Sequence, residues 1–258
     1  MNIVVCLKQT LDTEERVVMG EGTVEPDDGK RVVNPYDDFA LEEAIRLKEK
    51  LGGTVTVICL GPQRAEAAIR TAFAIGADEA VLINDERVAG DEYTVAEALA
   101  AAIRTRAASG KPFDLVLAGH MSVDNGASQG GPRIAELLGI PHVAAVTELT
   151  IAGKDVTARC DVEGDEEVVA AGLPLLITAQ QGLNEPRYPT LPGIMKAKKK
   201  TIETLTAEQI GMAAILSKTE ANERFLPPPK QPGRLMKGEM AAQTAELIRL
   251  LREEAKVL

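Results

Sequence analysis

The sequence predicts an α/β fold: a doubly wound parallel sheet, then an antiparallel meander, then an extended C-terminal arm. Three observations carry this. Short apolar runs alternate with amphipathic helical stretches from residue 2 to about 139, as in strands buried on both faces and joined by crossover helices. From 143 to 171 the pattern becomes short strands separated by Gly-Lys-Asp and Gly-Asp turns, which is a meander. From 183 onward the alternation stops, and prolines and lysines take over.

Residues 2–8 form a continuous apolar run, a strand covered on both faces. The polar stretch 9–33 carries Gly20, Gly22, Asp27, Asp28 and Gly29 and reads as a hairpin or excursion. Asn34-Pro35 opens a helix, with Asp37 and Asp38 in its early turns and Gly52-Gly53 at its end. Strand 54–60, helix 63–75, strand 79–83, a helix from about Tyr93 to Ala108 and strand 113–118 follow. A polar loop from Gly119 to Gly131 leads to a helix starting at Pro132 and ending at Gly139. The meander strands are 143–150, 156–162 and 167–171, and 173–178 is one more buried strand. Residues 226–233 read as a stiff connector containing Pro227, Pro228 and Pro229. A last amphipathic helix spans about Met240 to Glu254. The expected organisation is an α/β domain over 1–182, a loop over 183–205 and an arm over 206–258.

Composition excludes several functions. The chain has 258 residues, 29 basic and 39 acidic, with a net charge of −10. That acidity argues against nucleic acid, because nothing neutralises a phosphate backbone. At 45% hydrophobic residues the chain is not disordered. Cys6, Cys59 and Cys160 are far apart and lie in apolar runs, so neither a disulfide framework nor a CxxC site is expected. With only His120 and His142, a histidine-based catalytic or zinc site has few parts. No apolar run reaches the ~20 residues of a bilayer span. The start lacks the basic region of a signal peptide, so a cytoplasmic protein without direct membrane insertion is expected.

The most informative loop is Gly119-His120-Met121-Ser122-Val123-Asp124-Asn125-Gly126-Ala127-Ser128-Gln129-Gly130-Gly131-Pro132. It leaves the C-terminal end of a parallel strand and enters a helix, where ligands bind in open α/β sheets. Its glycines permit close backbone approach, and the free N–H groups at the helix start favour a phosphate. A nucleotide phosphate loop and an ordinary Gly-rich connection both remain open, since the loop is neither a Walker A nor a GxGxxG. Asn34-Pro35-Tyr36-Asp37 starts a helix at the same sheet edge, with Asn34 most simply its N-cap. Loop 60–63 is the third element there, and Cys6 and Leu60 would wall the pocket. His120 reads as a loop hydrogen-bonder and His142 as structural. The acidic residues 161–167 do not fit an EF-hand and read as a solvated turn. The lysines 196 and 198–200 read as a solvated face or a contact to an acidic partner. Catalytic pairs and metal sites do not stand out.

The stretch Gly182-Leu183-Asn184-Glu185-Pro186-Arg187-Tyr188-Pro189-Thr190-Leu191-Pro192-Gly193-Ile194-Met195-Lys196-Ala197-Lys198-Lys199-Lys200 closely resembles the signature of the electron transfer flavoprotein β subunit. Val-Asn-Pro-Tyr-Asp-Asp-Phe-Ala-Leu-Glu-Glu-Ala, Gly-Pro-Gln before the Ile-Arg-Thr-Ala helix, Gly-Ala-Asp and Leu-Val-Leu-Ala-Gly follow in the same order. The resemblance spans roughly 1–205. It implies an electron carrier rather than a catalyst on its own, working as an obligate heterodimer with an α subunit that holds most of the FAD. It implies a Rossmann-like core that buries a second nucleotide: AMP in simple carriers, a second FAD in bifurcating ones, where the chain accepts hydride from NADH. Carried onto this sequence, the nucleotide site takes in Cys6, Asn34, Pro35, Tyr36, Asp37, Leu60, Gly119, His120 and Val123 to Gly130, with Tyr36 near the α-bound flavin. Residues 183–205 would dock flavin dehydrogenases, such as acyl-CoA dehydrogenases of fatty acid β-oxidation. Leu191 would be the apolar anchor, flanked by Tyr188, Pro192, Ile194, Met195, Lys196, Lys199 and Lys200.

Bifurcating members tend to carry Asp-Gly-Asp-Thr in the nucleotide loop and an Asp-Thr pair before the 93–108 helix. This chain has Asp124-Asn125-Gly126 and Asp91-Glu92 instead, which favours AMP. The Gly131-Pro132-Arg133-Ile134-Ala135-Glu136 continuation resembles the bifurcating form, so FAD stays as the alternative.

Overall fold

In the computed structural model, strand β1 (Asn2–Leu7) lies in the interior of a nine-stranded sheet. The structure describes the whole chain except residues 16–17, 20–23, 26–28, 214, 221, 224, 227 and 231. Alternate side chains of β1 enter opposite faces: Ile3, Val5 and Leu7 on one, Val4 and Cys6 on the other.

After β1, β2 (Gln9–Leu11) pairs antiparallel with β5 (Arg31–Val33), and the short β3 (Val18–Met19) pairs with β4 (Val24–Glu25). The excursion expected over 9–33 is thus hairpin-like, although its turn residues Gly20, Gly22, Asp27 and Asp28 lie outside the described residues. The wound part then runs α1 (Pro35–Leu51), β6 (Thr54–Leu60), α2 (Glu66–Ile75), β7 (Glu79–Ile83), α3 (Glu92–Ala108), β8 (Leu115–Gly119) and α4 (Gly130–Leu138). Helix α1 follows its sequence signals: a proline in the first turn, Asp37 and Asp38 near the positive end, Lys48 and Lys50 near the negative end. Helix α4 starts two residues before Pro132, within the glycine pair.

The meander is β9 (His142–Ala152), β10 (Asp155–Val162) and β11 (Asp165–Gly172), followed by β12 (Leu175–Ala179). The acidic cluster forms the tight turn between β10 and β11, with Glu163 and Gly164 at positive φ. Sheet order is β11-β10-β9-β12-β8-β1-β6-β7-β13, where β13 spans Glu203–Leu205. From β9 to β13 in that order every pairing is parallel. Only the pairings of β10, with β9 and with β11, are antiparallel, so β10 alone runs against the other strands of this sheet. Helices α1 and α2 cover one face through Leu41, Ile45, Ile69 and Phe73. Helices α3 and α4 cover the other through Leu99, Ile103 and Ile134. This is the doubly wound arrangement the sequence predicts.

The globular pattern does not end at 182. Helix α5 (Leu191–Ala197) packs on α2, β13 adds to the sheet beside β7, and Leu205, Ala207 and Ile210 are buried with the α3 face. A polar three-residue strand gives no alternating signal, so only the pairing reveals it. Helix α6 (Met240–Glu253) forms as expected and has no buried residue. Arg234 of the connector pairs with Glu254 just past α6, at 2.7 Å. Pro227 and Gln231 of the connector lie outside the described residues. Among those described, no helix is long and apolar enough to cross a membrane.

Candidate functional site

From β1 the chain winds outward to β6 and β7, then returns to place β8 on the other side of β1. The winding direction reverses there, which opens a crevice beyond the carboxyl ends of the two strands. A cleft of about 790 Å³ occupies this position. Cys6, Asn34, Asp37 and Leu60 line it, together with Gly119, His120, Asn125 and the run Ala127 to Gly130. The three elements expected at this edge therefore meet in one cavity.

A buried carboxylate ties the floor together. Asp37 Oδ2 accepts from the Lys8 backbone N–H at 2.7 Å. Its Oδ1 accepts from Asn34 Nδ2 at 2.9 Å and from the Gly119 N–H at 3.2 Å. The ends of β1 and β8 are thus fixed to the first turn of α1. Burial pushes the Asp37 carboxyl up to about 7, against the Asn34 and backbone donors, which favour the charged form. A side chain at Gly119 would meet Asp37 Oδ1 at 2.3 Å and the Tyr36 backbone at 2.8 Å. Only glycine lets β8 pass this close to α1. Asn34 is not a side-chain N-cap, contrary to the simplest sequence expectation. Its Nδ2 also donates to the Met121 carbonyl at 2.9 Å, and its Oδ1 accepts from the Val123 N–H at 3.1 Å. Its polar atoms are committed to holding the 119–130 loop.

That loop presents backbone donors to the cleft. Ser128 has a φ of 55° and is followed by a right-handed Gln129, a change of hand that turns successive N–H groups toward one side. The unpaired N–H groups of the first turn of α4 come next, at the positive end of the helix dipole. A Cβ at Gly131 would lie 2.3 Å from Thr178 Cγ2, so this glycine sets how closely α4 packs on β12. The arrangement suits a phosphate-bearing ligand held by backbone donors, with apolar walls behind it. Cys6 supplies one wall; burial pushes its thiol up to about 12, so it is a small neutral surface. His120 Nδ1 lies 3.3 Å from Thr178 Oγ1, and partial burial lowers its pKa. It has the surroundings of a loop hydrogen-bonder.

Some expected site residues sit outside the cavity lining. Pro35 and Tyr36 form the start of α1 behind it, and Val123, Asp124 and Gly126 form the outer turn of the loop. Asp124 acts indirectly: its Oδ1 accepts from Lys8 Nζ at 2.7 Å, beside Ser122 Oγ at 3.3 Å. Lys8 itself lines the cleft and escapes sequence reasoning, although its place just after an apolar strand signals the carboxyl-end rim. Gly90, Ser217 and Thr219 also line the cleft and carry no motif; Asp91 lines it too and enters the sequence reading only in the comparison with the Asp-Thr pair.

The 183–200 segment is a braced platform on the α1–α2 face. Arg187 makes paired contacts to Glu42 at 2.9 and 3.0 Å and to Glu49 at 2.6 and 3.0 Å. Asn184 Nδ2 donates to the Phe39 carbonyl and to Glu43, each at 3.0 Å. Thr190 caps α5, accepting from the Gly193 N–H at 3.2 Å. A Cβ on Gly193 would lie 2.3 Å from the Ala74 carbonyl oxygen, so α5 rests directly on the α2 backbone. The platform leaves Tyr188 90% and Leu191 74% exposed, with Met195, Pro192, Ile194, Lys196 and Lys199 also on the surface. Lys200 turns the other way. Its Nζ donates to the Ala77 carbonyl at 2.5 Å and lies 5.0 Å from the Phe73 ring centre, so it braces the platform.

A family model described as the electron transfer flavoprotein domain matches residues 22–210. The chain is 48% identical to the electron transfer flavoprotein subunit beta of Bacillus subtilis, covering 100% of both chains. It belongs to the electron transfer flavoprotein β subunit family. It is 39% identical to the subunit of that name from Syntrophomonas wolfei, over 100% of this chain and 98% of that one. It is also 35% identical to subunit CarD of the caffeyl-CoA reductase-Etf complex of Acetobacterium woodii, over 98% of this chain and 99% of that one. Membership places the chain in electron transfer, and the matched span includes both the 119–130 loop and the braced platform.

Proposed function

We propose that this chain is the β subunit of a heterodimeric electron transfer flavoprotein, that its cleft holds AMP, and that most of the contacts to the redox FAD come from an α subunit. The carrying observation is the switch-point cleft, edged by the 119–130 loop where it runs through Gln129 into the start of α4. The loop amides would take the phosphate, Asn125 and Gln129 are within the lining to meet ribose or base, and Cys6 and Leu60 offer apolar contact. Bound FAD supplies the capacity to take up and release electrons. The residues here position and enclose it.

The platform is the proposed docking surface for flavin dehydrogenases, including those acting on acyl-CoA. Leu191 is its anchor; burying one such side chain gives about 1.5–3 kcal/mol, enough to orient a short-lived complex that must separate after each transfer. The exposed α6 and the arm preceding it are proposed to pack on the α subunit.

A second reading has FAD in the cleft, accepting hydride from NADH. Cleft size favours it, since 790 Å³ lies in the upper part of the ~300–1,000 Å³ range of small-molecule sites. Acid extraction of the purified complex, followed by identification and counting of nucleotides, separates the two. One AMP and one FAD per heterodimer is expected. Two FAD and no AMP would replace the first reading with the second.

A further inference from the structure

We propose that residues 217–219 form a strap across the mouth of the nucleotide cleft and that the Asp91 carboxylate is the latch that holds it. This rests on the reading of the cleft as a nucleotide site. Ser217 and Thr219 line the cleft beside Gly90, Asp91 and Glu92, about 90 residues after the 119–130 loop in the chain.

One carboxylate serves two elements. Asp91 Oδ1 accepts from the Thr94 N–H at 3.0 Å and caps α3. Its Oδ2 accepts from the Lys218 N–H at 2.6 Å, the Thr219 N–H at 2.8 Å and Thr219 Oγ1 at 3.1 Å. The Asp91 N–H in turn donates to Ser217 Oγ at 3.4 Å. Three donors from the strap thus converge on a single oxygen. The approach is close: a Cβ at Gly90 would lie 2.4 Å from Ser217 Oγ. Upstream, the Ile215 N–H donates to the Arg87 carbonyl at 3.3 Å, and Lys218 Nζ lies 5.2 Å from the Tyr93 ring centre.

Burial does not hold the strap. Residues 216–219 are all exposed, including Leu216. A segment without buried apolar contacts opens readily unless hydrogen bonds retain it. The bonds to Asp91 are charge-assisted and therefore the strong ones. Removing that charge should free the strap while leaving the loop and the floor of the cleft intact. The strap also begins the arm that runs on to α6. Asp91 is accordingly a positioning residue for nucleotide retention.

Asp91→Asn tests this cleanly. Asparagine is as good an N-cap as aspartate, so α3 keeps its cap, while the new amide points donors at the donors of Lys218 and Thr219. The readout is exchange of bound AMP for isotope-labelled AMP in the purified protein with its co-purifying partner. Loss of charge-assisted bonds at the mouth is expected to speed exchange by about tenfold or more. The melting temperature of nucleotide-stripped protein is expected to stay unchanged. The double variant Ser217→Ala with Thr219→Val alters only the strap and is expected to shift exchange the same way by a smaller factor. Unchanged exchange in both variants overturns the latch. Faster exchange in Asp91→Asn alone, with a lowered melting temperature, assigns Asp91 to the fold and also overturns it. If extraction yields FAD instead of AMP, the AMP reading fails by itself and labelled FAD becomes the probe for the same comparison. An extract with no nucleotide overturns both.

Discussion

Asp37→Asn probes the balance of forces at the cleft floor. The carboxyl is buried, and burial raises it from an ordinary 3.8 to about 7 in spite of its hydrogen-bond donors. The native state therefore holds a proton between pH 3.8 and about 7 that the unfolded chain has released. Stability falls as pH rises through that window and levels off above it. A shift of about three units at ~1.4 kcal/mol each gives a total of about 4 kcal/mol. Asparagine cannot titrate, so the variant lacks this slope. It also leaves one N–H poorly accepted, at a pH-independent cost of about 1–3 kcal/mol. The assay is urea unfolding of parent and variant from pH 4 to pH 8, in the same oligomeric state. The difference between the two curves cancels the other carboxyls, including Asp38, which burial also raises, to about 6. Relative to the parent, the variant is expected to gain about 4 kcal/mol across that range. A flat difference, or one of opposite sign, would falsify the claim that burial outweighs the donors from Lys8, Asn34 and Gly119.

Leu191→Ala is expected to slow electron exchange with a partner dehydrogenase about tenfold or more, from the ~1.5–3 kcal/mol of lost burial; flavin content should not change, and its loss would count against docking. Arg187→Lys keeps the charge but loses the paired geometry to Glu42 and Glu49. It should weaken the same exchange while leaving extracted nucleotide at parental levels; parental exchange rates would show that the platform needs no brace. Gly131→Ala forces a methyl against Thr178, whose Oγ1 already accepts from the Ala145 N–H at 3.0 Å. Overpacking of about 1–3 kcal/mol should lower the melting temperature, and an unaltered melt would mean that α4 shifts freely.

How much of this was legible depended on the scale of the signal. The wound core was, because β1, β6, β8 and β12 are buried on both faces and read as unbroken apolar runs. The loop from Gly119 was, because glycines cluster between a strand and a helix. Lys8 was not, since one lysine after a strand has no pattern. The meeting of Asp91 with Ser217 and Thr219 was not either, because two polar stretches joined over more than a hundred residues leave no periodicity. Asn34 takes the N-cap position that its sequence place implies, but its side chain does not cap, because partners far along the chain, Met121 and Val123, engage it instead. The docking role proposed for 183–200 rests on family likeness rather than on residue physics; the geometry adds that Lys200 faces inward.

The route of the chain through α5 sets a limit on how this family can vary. It leaves the sheet at β12 and re-enters at β13, five strand spacings away, a gap of about 24 Å at ~4.8 Å per spacing. The exposed platform is therefore a bridge anchored on both banks, not a dangling lobe. Under the docking role proposed for it, new partner preferences come from exchanging side chains on the bridge or lengthening it. Trimming it below what that gap needs would pull Glu203–Leu205 from its berth beside β7 and uncover Ala207 and Ile210.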